Sequence, residues 1–323
     1  MNILVTGAAG FIGSRVASRL LDDRHTVVGV DILNDAYDRR LKEWRLAQLE
    51  DREGFALHRV DVSDYDKLGE VMSAVKIDAV INLAARAGVR QSLDDPWIYY
   101  ETNLKGTLNL LDLCRNLNIK KFVLSSTSSA YGNQPSQPFT EDMPSDYPVS
   151  PYAASKKAAE VLTYTYHDRY GIDATVFRYF TVFGPAGRPD MSIFRFIRWV
   201  DTGAPVRVFG DGSQTRDFTF VDDVARGTIA GLTNLGYEII NLGNNKPVGL
   251  LEVIKMIEEK LGKKANISFE APNPLDVPST WADISKAERL LGWRPETTTE
   301  QGIALTADWY LANLELGRSV DLG

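Results

Sequence analysis

NILVTGAAGFIG, residues 2–13, reads as a buried strand, a tight glycine turn and the first turn of a helix. The apolar run 2–6 closes at Gly7, and helical periodicity follows over 11–22. Gly7 suits the tight turn, Gly10 lets backbone approach a pyrophosphate, and Gly13 permits close helix–strand packing. Phe11 and Ile12 open the helix, whose N-terminus offers unpaired N–H groups and positive dipole to phosphates. The G-x-x-G-x-x-G spacing is one residue longer than the common dehydrogenase form. Its context is still that of a dinucleotide site, because a second strand, TVVGV (26–30), follows and ends in an acid.

That acid is Asp31, 18 residues beyond Gly13. A carboxylate there accepts hydrogen bonds from both ribose hydroxyls and repels a 2'-phosphate. Ile32 and Leu33 follow without an adjacent arginine, which favours NAD over NADP. The plainer role for Asp31 is a loop cap. Asp61 and Val62, after the third strand, either edge the adenine or begin the next helix.

Outward from this core, strands near 55–59, 78–83, 120–125 and 173–178 alternate with helices near 64–75, 96–117 and 151–170. A polar helical insertion at about 38–51 carries Leu41, Trp44 and Leu49 on one side. The alternation predicts an α/β fold with a parallel sheet covered on both faces. Beyond about residue 180, prolines and glycines crowd 184–190, 203–212 and 243–249. Helices near 191–202, 221–234, 249–261, 284–291 and 299–315 stand among short strands and long loops. Residues 1–180 are therefore expected to form the cofactor domain, with contributions from about 219–245, and 181–323 mainly a smaller substrate domain. Chemistry is expected on loops at the carboxyl ends of the strands.

The bulk composition excludes several classes. The 323 residues are 44% apolar and 24% charged, an ordinary globular mix. The formal charge of -7 disfavours a nucleic-acid surface. No apolar run is long enough for a membrane span, and MNILVTGAAG enters a strand without a secretory leader, so the expected location is the cytoplasm. The single cysteine, Cys114, excludes an internal disulfide and sits in an amphipathic helix where it is expected to pack. No metal site is expected.

Tyr152 and Lys156 lie four apart in PYAASK, on one helix face. A tyrosine is a poor base at neutral pH unless a nearby lysine and a positively charged nicotinamide stabilise its phenolate. Lys156 can also hold the nicotinamide ribose. The serine-rich strand end Ser125-Ser126-Thr127-Ser128-Ser129 lies about 25 residues upstream, where a hydroxyl can bond a substrate alcohol.

Together GAAGFIG, the Asp31 strand end, NLAA (82–85), SSTSSAYG, Y-x-x-x-K and RDFTFVDD (216–223) resemble the extended short-chain dehydrogenases/reductases over essentially the whole chain. The resemblance implies a Rossmann-type doubly wound parallel sheet with a smaller α/β C-terminal substrate domain. It also implies NAD that stays bound and is regenerated within each cycle. It adds Leu83, Ala84, Ala85 and Ser125 to the cofactor site and places Tyr179, Phe180 and Val182 near the nicotinamide. Thr127 becomes the binder of the substrate hydroxyl, Tyr152 the acid/base, Lys156 its partner, and Arg216 the ligand of a substrate diphosphate. A surface salt bridge is the plainer role of Arg216.

Within that family, 4,6-dehydratases resemble T-D-E-x-Y-G after the serine strand, and UDP-glucuronate decarboxylases resemble T-S-E-x-Y-G. Here the positions are Thr127-Ser128-Ser129-Ala130-Tyr131-Gly132, without either carboxylate. Epimerisation remains. LNDAYD (33–38), AARAGVRQS (84–92), RYFTVFGPAGRPDM (178–191) and DVPSTWADISKAERLLGW (276–293) resemble UDP-glucuronate 4-epimerases. Ala186 stands where that group usually has tryptophan. Arg188 is then the candidate for the substrate carboxylate, because a guanidinium makes paired, charge-assisted bonds to such a group. Its plainer role is a loop arginine paired with Asp190. Arg90 and Asp276 are further substrate candidates. Oxidising a uronate at carbon 4 makes a β-keto acid, so an epimerase must hold the carboxylate out of alignment with the carbonyl π-system. Arg188, Thr127, Ser128 and Ser129 are the donors expected to do so.

A neutral UDP-hexose is the alternative substrate, and an NAD sensor without turnover the alternative class. Such sensors usually lose the tyrosine or the lysine. Leu104, Leu108, Leu111, Val161 and Leu162 give the helices near 96–117 and 151–170 apolar side chains on more than one face. The resemblance pairs these helices with a second subunit as a four-helix bundle, implying a homodimer.

Overall fold

The structure, a computed structural model, describes residues 1–272 and 277–323. Its centre is a seven-stranded sheet in which every neighbouring pair is parallel. From one edge the order is Tyr237–Leu242, Asp173–Tyr179, Lys121–Thr127, Ala79–Asn82, Asn2–Thr6, Thr26–Val30 and Phe55–His58. The order reverses between Asn2–Thr6 and Ala79–Asn82, which opens a crevice at the carboxyl ends of those two strands.

The strand residues explain why both faces are covered. Ile3, Val5, Val27, Ile81 and Val123 enter one core with Val16, Ala17 and Leu20 of the helix Phe11–Asp22. The intervening Leu4, Val28, Val80, Phe122 and Leu124 enter a second core with Leu68, Leu110 and Leu111. Alternate side chains are thus apolar on both sides, as a sheet between two helical layers requires. Cys114 lies fully inside the second core and burial pushes its thiol far up, so it packs as an apolar residue.

A third core gathers Phe194, Ile197, Val206, Phe218, Val253, Ile303 and Tyr310 from the C-terminal half. Around it run three two-stranded pairs: Pro205–Phe209 with Asn266–Glu270, Thr181–Phe183 with Phe218–Phe220, and Thr215–Arg216 with Val248–Gly249.

Several elements differ from expectation. The helix expected over 96–117 is built from three segments: α-helical Pro96–Tyr99, a π-helical stretch Tyr100–Lys105, and α-helical Gly106–Asn116. Within the π stretch, Asn103 turns inward, accepting from Arg86 N and donating to Arg86 O and Ser155 Oγ. The polar insertion forms a helix only over Arg40–Ala47. Its Lys42 and Arg45 are buried, although the periodicity had placed only apolar residues inside. Of the apolar side chains on more than one face of these helices, Leu111 belongs to the core and Leu108 is exposed.

Candidate active site

The glycine turn has the geometry its composition requires. Gly7 takes φ +67, and a Cβ on Gly13 would come within 2.0 Å of the Gly7 carbonyl oxygen. Only glycine tolerates both demands. The helix Phe11–Asp22 begins at Gly10 with no side-chain cap, so its first amides stay available to an anionic group. Thr6 fixes the facing strand: its hydroxyl donates to Asn82 Oδ1 at 2.7 Å and accepts from the amides of Leu83 and Ala84.

Asp31 is buried at the end of the second strand. Its carboxylate accepts from Ala9 N at 3.1 Å and from Leu33 N at 2.8 Å, so the glycine turn itself orients it. The loop-cap role and the cleft-facing role coincide in this one residue. Asp61 accepts from Ser63 N, and the following helix is capped by Asp64, which leaves Asp61 on the cleft wall.

One continuous cleft joins these residues to the chemistry-bearing ones. It is lined by Gly7, Gly10, Phe11, Ile12 and Gly13 at one end, then by Asp31, Asp61, Val62, Leu83, Ala84 and Ala85. Ser125, Thr127, Tyr152, Lys156, Tyr179, Phe180, Val182 and Arg188 complete it. Thr127 ends the strand Lys121–Thr127, and its Oγ accepts from Ser129 N at 3.1 Å. Tyr152 and Lys156 come from the first turns of the helix Pro151–Tyr170, which Ser150 caps through Ala153 N.

Burial raises the Tyr152 phenol above its ordinary value, against the lowering influence of the Thr127 hydroxyl and the Arg188 cation. Lys156 Nζ lies 3.2 Å from Ser125 Oγ, and burial pulls its ammonium down to about 8, opposed by Glu160. Desolvation is the largest influence on both groups.

Arg188 is paired with Asp190 and also lines the cleft. Nε and Nη2 donate to Asp190 Oδ1 and Oδ2 at 3.0 and 2.6 Å, and Nη2 also donates to Ala87 O. The same guanidinium lines the cleft and acts on Tyr152. Tyr179 lines the cleft with its ring while its hydroxyl bonds Thr228 Oγ1 at 2.7 Å. Four candidates lie outside this lining. Ser128 and Ser129 are half-buried in the turn that follows Thr127. Arg90 stacks over Phe209 at 4.5 Å from the ring centre. Arg216 donates to Thr215 O at 2.8 Å, beside a second depression lined by Gln214, Thr215, Phe269, Pro278 and Ser279. Asp276 lies outside the described residues. No group of acids, histidines and cysteines able to hold a metal occurs among the described residues.

Several cleft residues were missed. Lys42 lines the cofactor end, donates to Asn34 Oδ1 at 2.6 Å, and is pulled down to about 8 by burial against the pull of Asp31. Asn34, Tyr37, Thr102 and Met191 line it too. Behind the wall, Glu160 and Arg178 form a buried ion pair at 2.7 Å, and Ser126 Oγ donates to Glu160 at 2.5 Å. The signal for the pair was an acid and a base at positions otherwise facing the core.

Residues 3–243 match the model of the NAD dependent epimerase/dehydratase family. The chain belongs to that family. Among its similar members is a UDP-glucuronate 4-epimerase of Thermodesulfobacterium geofontis, 54% identical over 98% of both chains. The solved UDP-glucuronic acid 4-epimerase of Bacillus cereus, in complex with UDP-glucuronic acid and NAD, superposes with a TM-score of 0.91 at 39% identity. The match spans 97% of this chain and all of that one. A family member with another sugar is the UDP-glucose 4-epimerase of Thermotoga maritima with UDP-glucose, at TM-score 0.89 and 30% identity over 97% and 100%.

Proposed function

We propose that the protein is an NAD-dependent UDP-glucuronate 4-epimerase, interconverting UDP-glucuronate and UDP-galacturonate. The observation that carries this reading is that Arg188 shares one cleft wall with Thr127, Tyr152 and Lys156. The 54% identity to a relative of that name supports it, against the 30% to a UDP-glucose enzyme.

The residues suit NAD: uncapped helix amides meet the diphosphate, and the oriented Asp31 meets the ribose hydroxyls. Bound there, NAD supplies the acceptor and later the donor of the carbon-4 hydrogen. Tyr152 takes the O4 proton as the alcohol becomes a ketone, and Thr127 holds that oxygen. Lys156 brings positive charge to the phenolate and a donor to the nicotinamide ribose. After the keto sugar turns to present its other face, Tyr152 returns the proton to O4. Arg188 holds the carboxylate with fixed donors throughout, out of alignment with the carbonyl, and Ser128 and Ser129 help from the adjoining turn. Arg216, Arg90 and the depression beside Thr215 are assigned to the nucleotide diphosphate end. We also read a cytoplasmic homodimer: the neighbouring helices Gly106–Asn116, Pro151–Tyr170 and Pro96–Tyr99 expose the apolar Leu108, Val161, Tyr164 and Trp97.

The test compares wild type and Arg188→Ala on UDP-glucuronate and UDP-glucose. A charge-assisted pair is worth about 1.5–3 kcal/mol, roughly ten- to a hundredfold in kcat/KM. Loss of that size on the uronate, with little on the neutral sugar, is expected. Equal losses remove Arg188 from the carboxylate site, and a wild-type preference for UDP-glucose overturns the uronate assignment.

A further inference from the structure

Arg45 is a buried cation, 3% exposed, with no carboxylate paired to it among the described residues. Burying a guanidinium is costly unless its donors are matched. Here they are matched by oxygens from three segments. Nε and Nη2 donate to Ala186 O at 2.9 and 2.6 Å, and Nη2 reaches Gly187 O at 3.4 Å. Nη1 donates to the Tyr37 hydroxyl at 2.7 Å and to Ala9 O at 3.3 Å. Its guanidinium carbon lies 5.8 and 5.4 Å from the ring centres of Phe11 and Tyr37. Ala9 and Phe11 belong to the glycine turn, while Ala186 and Gly187 immediately precede Arg188.

Two further observations join this fork to the sugar end. Ala186 adopts φ +52, a conformation alanine takes reluctantly, and its carbonyl is the one that receives both Arg45 donors. The Tyr37 ring is also approached by Arg188, whose guanidinium lies 5.6 Å from its centre. Tyr37 is thus shared between the arginine that braces the loop and the arginine that faces the cleft.

We propose that Arg45 is a positioning residue for the uronate. It ties the loop carrying Arg188 to the glycine turn beneath the cofactor, and so fixes where Arg188 meets the substrate carboxylate. A lysine at this place is a point donor and cannot bridge both loops as the planar fork does. The inference rests on the UDP-glucuronate reading above.

The test titrates UDP-glucuronate and UDP-glucose into NAD-loaded Tyr152→Phe protein, which binds without turnover. The same titrations follow with Arg45→Met, Arg188→Ala, or both added. Arg45→Met is expected to weaken the uronate roughly tenfold and the neutral sugar less than about twofold, and to add little once Arg188 is gone. Tyr37→Phe removes one acceptor of the fork and keeps the ring. It should shift the uronate the same way by a smaller factor, and it decides the matter if Arg45→Met fails to fold or to hold NAD. Parent protein that binds both sugars alike sinks the uronate reading and this proposal with it. Parent protein that prefers the uronate, with the preference kept in both variants, overturns the brace alone. So do equal losses on both sugars, or losses from Arg45→Met and Arg188→Ala that add in full.

Discussion

Arg188, in the wall of the cleft that also holds Tyr152, faces Asp190 as a two-point fork, 3.0 Å from Nε to Oδ1 and 2.6 Å from Nη2 to Oδ2. The pairing fixes the plane of the guanidinium without using Nη1. An arginine oriented in advance binds a carboxylate without first losing its own rotamer freedom. Asp190→Ala should therefore raise KM for UDP-glucuronate about five- to tenfold and leave UDP-glucose nearly unchanged, since only the uronate meets the arginine. Steady-state kinetics on both sugars check this. Tighter uronate binding in the variant would show that Asp190 competes for Arg188 rather than orienting it.

Tyr152→Phe removes one oxygen from the cleft. Turnover should fall by about a hundred- to ten-thousandfold, the range for loss of a positioned acid/base. The purified variant should keep wild-type NAD content, read by extraction and absorbance, because the phosphate contacts of the glycine turn and the ribose contact of Asp31 lie at the other end of the cleft and Lys156 is kept. Wild-type turnover in this variant removes Tyr152 from the reaction.

Lys42 gives a pH signature. Burial holds its folded value at about 8, below its ordinary 10.5. Between those values the unfolded chain binds a proton that the folded protein does not, so raising the pH through this window stabilises the fold. Relative to Lys42→Met, wild type should gain stability from pH 8 toward pH 10, by at most about 1.4 kcal/mol per pH unit. Urea unfolding of both proteins at several pH values tests it. A constant difference contradicts the buried placement of Lys42.

Glu160 and Arg178 are each about 1% exposed, and Ser126 beside Thr127 depends on the same carboxylate. Burial works to raise Glu160, but the Arg178 bonds prevail and hold it below its ordinary value. Its stabilising effect is present above pH 4.5 and is lost as pH falls through the folded value. Glu160→Gln should destabilise the protein by about 3–5 kcal/mol, because an uncompensated guanidinium stays buried. Thermal or urea unfolding at neutral pH reads this, and a loss below about 1 kcal/mol would mean that water reaches Arg178.

How far the sequence was legible follows from which interactions are local. The turn at Gly7 and Gly13, the Asp31 strand end and the Tyr152–Lys156 helix face are fixed by neighbours within a few residues, and pattern reveals them. Arg188 was found through its surrounding motif, and its pairing with Asp190 was legible because the two are only two residues apart. Lys42 and Arg45 were hidden. They sit on a short helix whose polar face turns inward, and their partners at Asn34, Ala9 and Ala186 come together only in the fold. Periodicity treats a polar face as solvated, which here hid both cations. Arg90 and Arg216 stand outside the lining of the main cleft, a position that residue type and spacing did not reveal.

Incubation of the purified protein with UDP-glucuronate, without added cofactor, tests the central claim most directly. Products are separated by chromatography while carbon dioxide is collected. UDP-galacturonate should form and approach a fixed ratio with the starting sugar nucleotide, with no pentose product and no carbon dioxide. Unchanged UDP-glucuronate, or its conversion to a UDP-pentose with carbon dioxide, would contradict the account.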